Sequence, residues 1–573
     1  MKPVCVASPA GTILLAALLF GCVSHATLPA EPEISREAST DIQTSITGVV
    51  LDSAGFPIAG ARVRVKATET VTSTNLAGNF VLDGIVPDSG VFVTAWKDGY
   101  YIGGVANVLP GEPVIIVLTP YSFCDNDAYS WLPSAYQDEM GEEQGCARCH
   151  SDAAGLYSLP VDEWMLDAHS QTVINPRFLS MYFGTDLDGN QSPLTRYGYS
   201  RDYGKFPLPP DLSEPYYGPG YKLDFPTTAG NCAACHIPAA AVYAPYGTNP
   251  GQVTGAGAEG IPCDFCHKIS DVRLDPETGL PFSNMPGVLS YSFLRPPEGY
   301  QLFIGPFDDV APGEDTYSSL QQEGQFCAPC HFGDFWGVQV YNSYGEWLES
   351  PYSAYGGSTC QDCHMPHSGT DHFALPGQGG IERDPQTIFS HLMPGASSVD
   401  LLQNSVTMTG SASQDGDRIT VTVEIVNDKT GHSVPTDSPL REMILLVQAR
   451  DSEGMELVQV EGPVIPVYGG QGDPGAGYFA GLPGKIYAKI LAELWTEISP
   501  SGAYWNPARI VSDNRIPATG SDTSIFVFKS NENSAAVDIQ VTLLYRRAFI
   551  ELMDEKDWNV ADIVMEMQEI QIP

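Results

Sequence analysis

Gly260-Ile261-Pro262-Cys263-Asp264-Phe265-Cys266-His267-Lys268 sets two cysteines three residues apart with a histidine directly after the second. The same spacing recurs in Cys146/Cys149-His150, Cys232/Cys235-His236, Cys327/Cys330-His331 and Cys360/Cys363-His364. A chain with 13 Cys and 11 His would produce roughly 0.006 such motifs by random placement, so the set of five is not an accident of composition. The chemistry this spacing serves is covalent haem attachment. A Cys-x-x-Cys turn sets two sulfurs at the separation of the porphyrin vinyl groups, and the following His comes beneath the iron. A disulfide or half of a zinc site explains one isolated pair outside the cytosol, but not five with His in the same place. No βαβ pattern surrounds the pairs, as a thioredoxin-like redox motif would require. The reading is five c-type haems, with His150, His236, His267, His331 and His364 as proximal iron ligands.

Beyond these and His25, the chain holds His169, His367, His372, His391 and His432. Five spare imidazoles for five irons allow every centre a second one, which makes it six-coordinate, low-spin and suited to electron transfer. His367 and His372 crowd His364, so either is dispensable to that count. The second and third motifs, and the fourth and fifth, follow each other at the shortest intervals, and each of these two pairs is expected to be neighbours.

Outward from the motifs, 69 Asp plus Glu against 28 Lys plus Arg give a formal net charge of −41. That excludes a nucleic-acid partner, since phosphate neutralisation needs clustered cations. The length argues for several domains, and 43% hydrophobic residues suffice for their cores. After Lys2, the run from Gly11 to Phe20 is apolar but too short to span a bilayer, the anatomy of an export signal over residues 1–22. Leu19-Phe20-Gly21-Cys22 resembles a bacterial lipoprotein processing site, with Cys22 the lipidated residue; cleavage after Ala26 is the rival. Membrane attachment then comes only from acyl chains, and no later apolar run is long enough to cross. The expected location is the outer membrane or cell surface, with the periplasm or extracellular space as the alternative. Cys5 falls in the signal, and Cys124 reads as a buried thiol with no second thiol left to pair with.

The rest of the chain divides into four segments. Residues 23–44, rich in Ala, Glu, Pro, Ser and Thr, read as a flexible linker. Residues 45–119 carry short alternating strands broken by Gly55-Phe56-Pro57 and Ala77-Gly78-Asn79 turns, a β-sandwich. Residues 120–395 are irregular and dense in Gly, Pro and Tyr. Porphyrins would there supply the apolar volume that side chains do not, with short α-helices presenting the motifs. Residues 396–573 return to β alternation at Ile419, Val421, Val423 and Ile425 and again from Val537 to Tyr545, a second β-sandwich. The fold class is thus multidomain: a sandwich at each end of a haem-packed domain. The acidic residues show no EF-hand spacing, and Asp186-Leu187-Asp188-Gly189-Asn190 is only a weak calcium-like fragment. Asp513-Asn514-Arg515 reads as a surface turn.

Several segments resemble known families. Glu163-Trp164-Met165-Leu166-Asp167-Ala168-His169 is similar to the Trp-x-x-Ser-x-His segment of multihaem c-type cytochromes, with Asp167 where Ser is usual. Residues 260–268 and 344–366 resemble later haem segments of the same proteins, and Ser390-His391 and Gly431-His432-Ser433-Val434-Pro435 resemble two further elements. Over residues 125–573 the resemblance points to the broad group that includes the tetrahaem carrier of hydroxylamine oxidation and the pentahaem nitrite reductases. It implies distal ligation by His169, His391 and His432. The nitrite reductases hold their catalytic haem through Cys-x-x-Cys-Lys, whereas all five motifs here end in His. Residues 48–63, with Gly78-Asn79-Phe80 and Gly99-Tyr100, resemble the carboxypeptidase-regulatory-like module, a transthyretin-like sandwich without catalysis.

Two functions compete. One is an electron relay through mostly bis-His haems in respiratory or extracellular transfer, partnered by redox proteins such as other cytochromes, with self-assembly into filaments as a variant. The other is a reductase of a small nitrogen or sulfur oxyanion at one haem whose distal position is open.

Overall fold

The computed structural model describes residues 44–86, 90–530 and 536–573. The export signal, Cys22 and nearly all of the linker lie outside the described residues. The chain forms two compact units.

In the first unit, residues 44–126 are joined by the loops Arg295–Tyr300 and Asp308–Glu314. Strict alternation of burial in Asn79–Leu82 and Pro113–Leu118 gives each strand one apolar face, and two sheets close over those faces. One sheet has Ile46–Asp52 at its centre, antiparallel to Asn79–Leu82 and parallel to Pro113–Leu118. The other runs in the order Val71–Ser73, Arg62–Val65, Val91–Trp96, Gly103–Val108. Ile46, Val50, Val63, Phe80, Val93 and Ile116 meet between them. The loop Asp308–Glu314 is pinned by an Arg64 Nε–Asp308 Oδ1 contact of 3.0 Å and by the Ala67 amide, which donates to Asp309 Oδ2 at 2.7 Å. Arg295 pairs with Asp125 at 2.6 Å. Cys124 is disulfide-bonded, which corrects its reading as an unpaired thiol. The ten motif cysteines are free.

The second unit holds the remaining residues, and its first part is the irregular stretch. Helices here are one or two turns long. The longest, Pro176–Phe183, starts where Asn175 Oδ1 accepts the Arg177 and Phe178 amides and stops at Gly184 with φ of 75°, the expected cap chemistry at both ends. Four of the five motifs lie on single turns: Ala147–His150, Ala233–His236, Cys263–Cys266 and Cys360–His364. The fourth motif follows the short turn Gly324–Phe326.

The C-terminal part is a two-sheet sandwich. One sheet runs Thr407–Asp415, Arg418–Val426, Ser521–Lys529, Val458–Glu461, and the other Gly484–Tyr487, Glu442–Asp451, Val537–Arg546, Ile563–Ile572. Ile419, Val421, Val423 and Ile425 are all fully buried and pack with Met443, Leu445, Val541 and Leu543. No helix among the described residues is long and apolar enough to cross a membrane.

Candidate metal centres

Each motif leaves its histidine half-buried. Burial lowers the pKa of His150, His267, His331 and His364, and lowers that of His236 to about 4. The same cause lowers His432 and takes His391 to about 4. These imidazoles are therefore neutral, the form that binds a metal. Their orientation is fixed through the other nitrogen. Nδ1 of His150, His267 and His364 faces the carbonyl oxygens of Phe373, Ile304 and Pro394 at 2.7, 2.9 and 2.7 Å, which leaves Nε2 of each ring free as a ligand.

Three spare histidines each face a motif histidine. The ring centroids of His169 and His331 are 6.3 Å apart, those of His267 and His391 6.5 Å, and those of His364 and His432 6.2 Å. Two imidazoles bound through Nε2 to opposite sides of one iron put their centroids about 6.2 Å apart, from an Fe–N bond of about 2.0 Å and about 1.1 Å from nitrogen to ring centre. The side chains of these three pairs thus fit a six-coordinate haem iron. Among the described residues no second imidazole stands at that spacing from His150 or His236. Phe373 lies beside His150 at 6.1 Å, and Phe178 stacks on His236 at 4.1 Å. His367 is exposed and packs on Phe389, while His372 packs on Tyr157; neither faces a motif histidine.

The motifs are brought together through their sulfurs. The thiols of Cys146 and Cys263, of Cys235 and Cys330, and of Cys327 and Cys360 are near neighbours that influence one another electrostatically. Cys149, Cys232, Cys266 and Cys363 complete the set of free thiols. The fourth and fifth motifs are therefore neighbours, as the short interval suggested. The second and third share an apolar cluster through Ala233, Ala234 and Phe265, but the thiol neighbour of the second is on the fourth. The network links first to third and fourth to both second and fifth.

Carboxylates support the facing histidines. The Asp167 carboxylate accepts from His169 Nδ1 at 2.6 Å and from the His169 amide at 2.9 Å. Glu163 Oε2 accepts the His391 amide at 2.7 Å. Glu346 Oε2 accepts the Ser433 amide at 3.1 Å and the Thr436 hydroxyl at 2.6 Å, and its Oε1 pairs with Arg515 Nη1 at 2.7 Å. Arg515 also forks onto Asp513 at 2.8 Å through both Nε and Nη2, and its side chain is only 8% exposed. The reading of Asp513-Asn514-Arg515 as a surface turn holds for the exposed Asp513 and Asn514 and is corrected for Arg515, whose side chain packs on Glu346 of the helix Ser343–Leu348. The pairing of Glu346 with Arg515 was not legible in the sequence, because the two are far apart in it.

Among the described residues no group of three or more His, Cys, Asp or Glu side chains is arranged to hold a bare metal ion. In the calcium-like fragment Asp186 uses both carboxylate oxygens on Asn190, at 2.8 and 2.7 Å.

No protein-family model matches the chain, and no curated protein matches it. Among solved structures it is similar to a penta-haem cytochrome c552 from Thermochromatium tepidum, with a TM-score of 0.49 and 18% identity over 74% of this chain and 97% of that one. A type II cohesin–X-dockerin complex from Acetivibrio cellulolyticus matches 14% of this chain and 58% of its own, at 21% identity and a TM-score of 0.12.

Proposed function

We propose that the protein is an exported pentahaem c-type cytochrome that relays electrons, with the ten motif cysteines binding five haems. The observation that carries this reading is the coincidence of five attachment motifs with three imidazole pairs at 6.2–6.5 Å. Haem supplies a one-electron iron couple whose potential follows its axial ligands, burial and nearby charge. His331, His267 and His364 would each hold an iron, with His169, His391 and His432 supplying the second imidazole of each pair. The fold also brings sulfurs of the first and third, second and fourth, and fourth and fifth motifs close together, so that electrons would pass between neighbouring haems. The acidic surface favours docking to a basic patch on a redox partner, with association weakened by salt. Lipidation at Cys22 would keep the relay at a membrane surface.

A second reading, reduction of a small oxyanion at an open iron, is favoured by one observation: neither His150 nor His236 is faced by an imidazole among the described residues. Intact mass and spectroscopy of the purified oxidised protein separate the outcomes. Five added haems with only low-spin iron support the relay, whereas a high-spin centre that binds cyanide or nitrite supports the reductase. A chain with no added tetrapyrrole overturns both.

A further inference from the structure

His169 is held differently from the other facing histidines. His267, His364 and His432 direct Nδ1 at the carbonyl oxygens of Ile304, Pro394 and Ser433, whereas among the described residues only His169, of the six paired rings, directs it at a carboxylate. Asp167 is 3% exposed, and the contact is 2.6 Å. Its only ion-pair partner among the described residues is this imidazole. A carboxylate, poorly reached by water, thus stands on Nδ1 of this ring, where a peptide carbonyl serves His267, His364 and His432.

We infer that Asp167 is a positioning residue that holds the His331/His169 centre at a lower reduction potential than the other two paired centres. The inference rests on the proposed ligation of iron by His169. With Nε2 on a metal, Nδ1 must carry the hydrogen and donate it. A carboxylate acceptor then pushes electron density into the ring and makes it a more basic ligand. Reduction adds one electron to the iron and takes no proton from Nδ1, so the carboxylate favours the more positive ferric state over the ferrous one. The effect falls on the fourth motif, whose cysteines neighbour those of both the second and the fifth. Electrons crossing between those branches meet their least favourable step in the middle of the network, and this step sets how long charge stays on either side.

The test uses the fully haem-loaded protein, with haem content checked by intact mass, in potentiometric titrations followed by optical and EPR spectroscopy. Asp167→Asn keeps the shape and a hydrogen-bond acceptor but removes the charge. One centre is expected to become easier to reduce by at least tenfold in its one-electron equilibrium, about 59 mV, with the others unmoved. Asp167→Glu should retain the low potential. The control Asp371→Asn removes the other carboxylate paired with a histidine, at His372 (2.7 Å), and should move no centre. His169→Ala identifies the centre by converting one low-spin iron. If it does so while Asp167→Asn moves no centre, lowers one, or moves several alike, the inference fails and the proposed function stands. If His169→Ala leaves all five irons unchanged, the axial assignment fails and the inference with it.

Discussion

Arg515 and Glu346 form a buried pair whose value lies in what it holds. Glu346 takes the Ser433 amide and Thr436 hydroxyl on one oxygen and Arg515 on the other, so the loop carrying His432 is fixed against the helix Ser343–Leu348. The side chains are 8% and 12% exposed, and removing one partner leaves the other charge buried, which costs about 3–5 kcal/mol. Arg515→Met is therefore expected to lower the denaturant midpoint and to release one imidazole, seen as a new high-spin signal equal to one iron. A different group sets a pH dependence. Glu442 is buried, its two carboxylate oxygens have no hydrogen-bond partner among the described residues, and burial raises its pKa to about 8. Arg546, opposite it across the strands, turns its guanidinium onto Asp562 at 2.9 and 2.7 Å. The folded-state pKa lies above the unfolded one, so Glu442 supports the fold fully below about pH 4.5. That support is lost as pH rises through about 8, by at most about 1.4 kcal/mol per pH unit. Glu442→Gln should match the parent near pH 5 and exceed it in denaturation midpoint near pH 9. The histidines and cysteines of the motifs were legible in the sequence because their chemistry imposes local spacing. Which spare histidine faces which motif was not, since His169 and His331 meet only through the folded path of the chain.

At the scale of elements, the strands of both sandwiches announced themselves by alternation. Arg418–Val426 buries every second residue because a pleated strand points successive side chains to opposite faces. The motif turns stood out in the sequence by their spacing, but their packing did not. In Cys263–Cys266 the intervening Asp264 pairs with Lys268 at 2.6 Å, both fully buried, and also accepts from Tyr129 and from the Leu132 amide at 2.9 Å each. A motif position that tolerates any residue in the abstract is thus fixed here by contacts with residues 129–132. The turn Ala233–His236 is constrained by Gly287, whose φ is 53° and where an added Cβ would overlap the Ala234 carbonyl and crowd the Cys235 amide. Gly287→Ala is expected to cost more than about 1 kcal/mol, since it combines a left-handed backbone with overlap. It should also displace Cys235, giving intact mass spectra with a population one haem short, with the missing haem mapped by peptide digestion to the second motif.

Over the whole chain, the apolar cores are unevenly distributed, and this predicts how the polypeptide behaves without its cofactor. One large cluster draws only on residues 46–118 and another only on residues 396–572, so each sandwich fills the space between its sheets with its own side chains. The stretch between them holds five attachment motifs on turns of four or five residues or after a short turn, with helices too short to persist alone. Porphyrin would there do the work that leucine and valine do elsewhere, and cofactor binding and folding would be one equilibrium. Such a dependence would account for the irregular sequence of residues 120–395: periodicity records side chains packing on side chains, and there much of the partner would not be polypeptide. Chain made without haem attachment should therefore be cut by proteases throughout the stretch between the sandwiches, leaving resistant fragments that contain residues 46–118 and 396–572. The haem-loaded chain should resist over the same stretch at equal protease concentration. Equal resistance of the two forms between the sandwiches would mean that this stretch carries a sufficient core of its own, and that the short turns owe their places to protein packing alone.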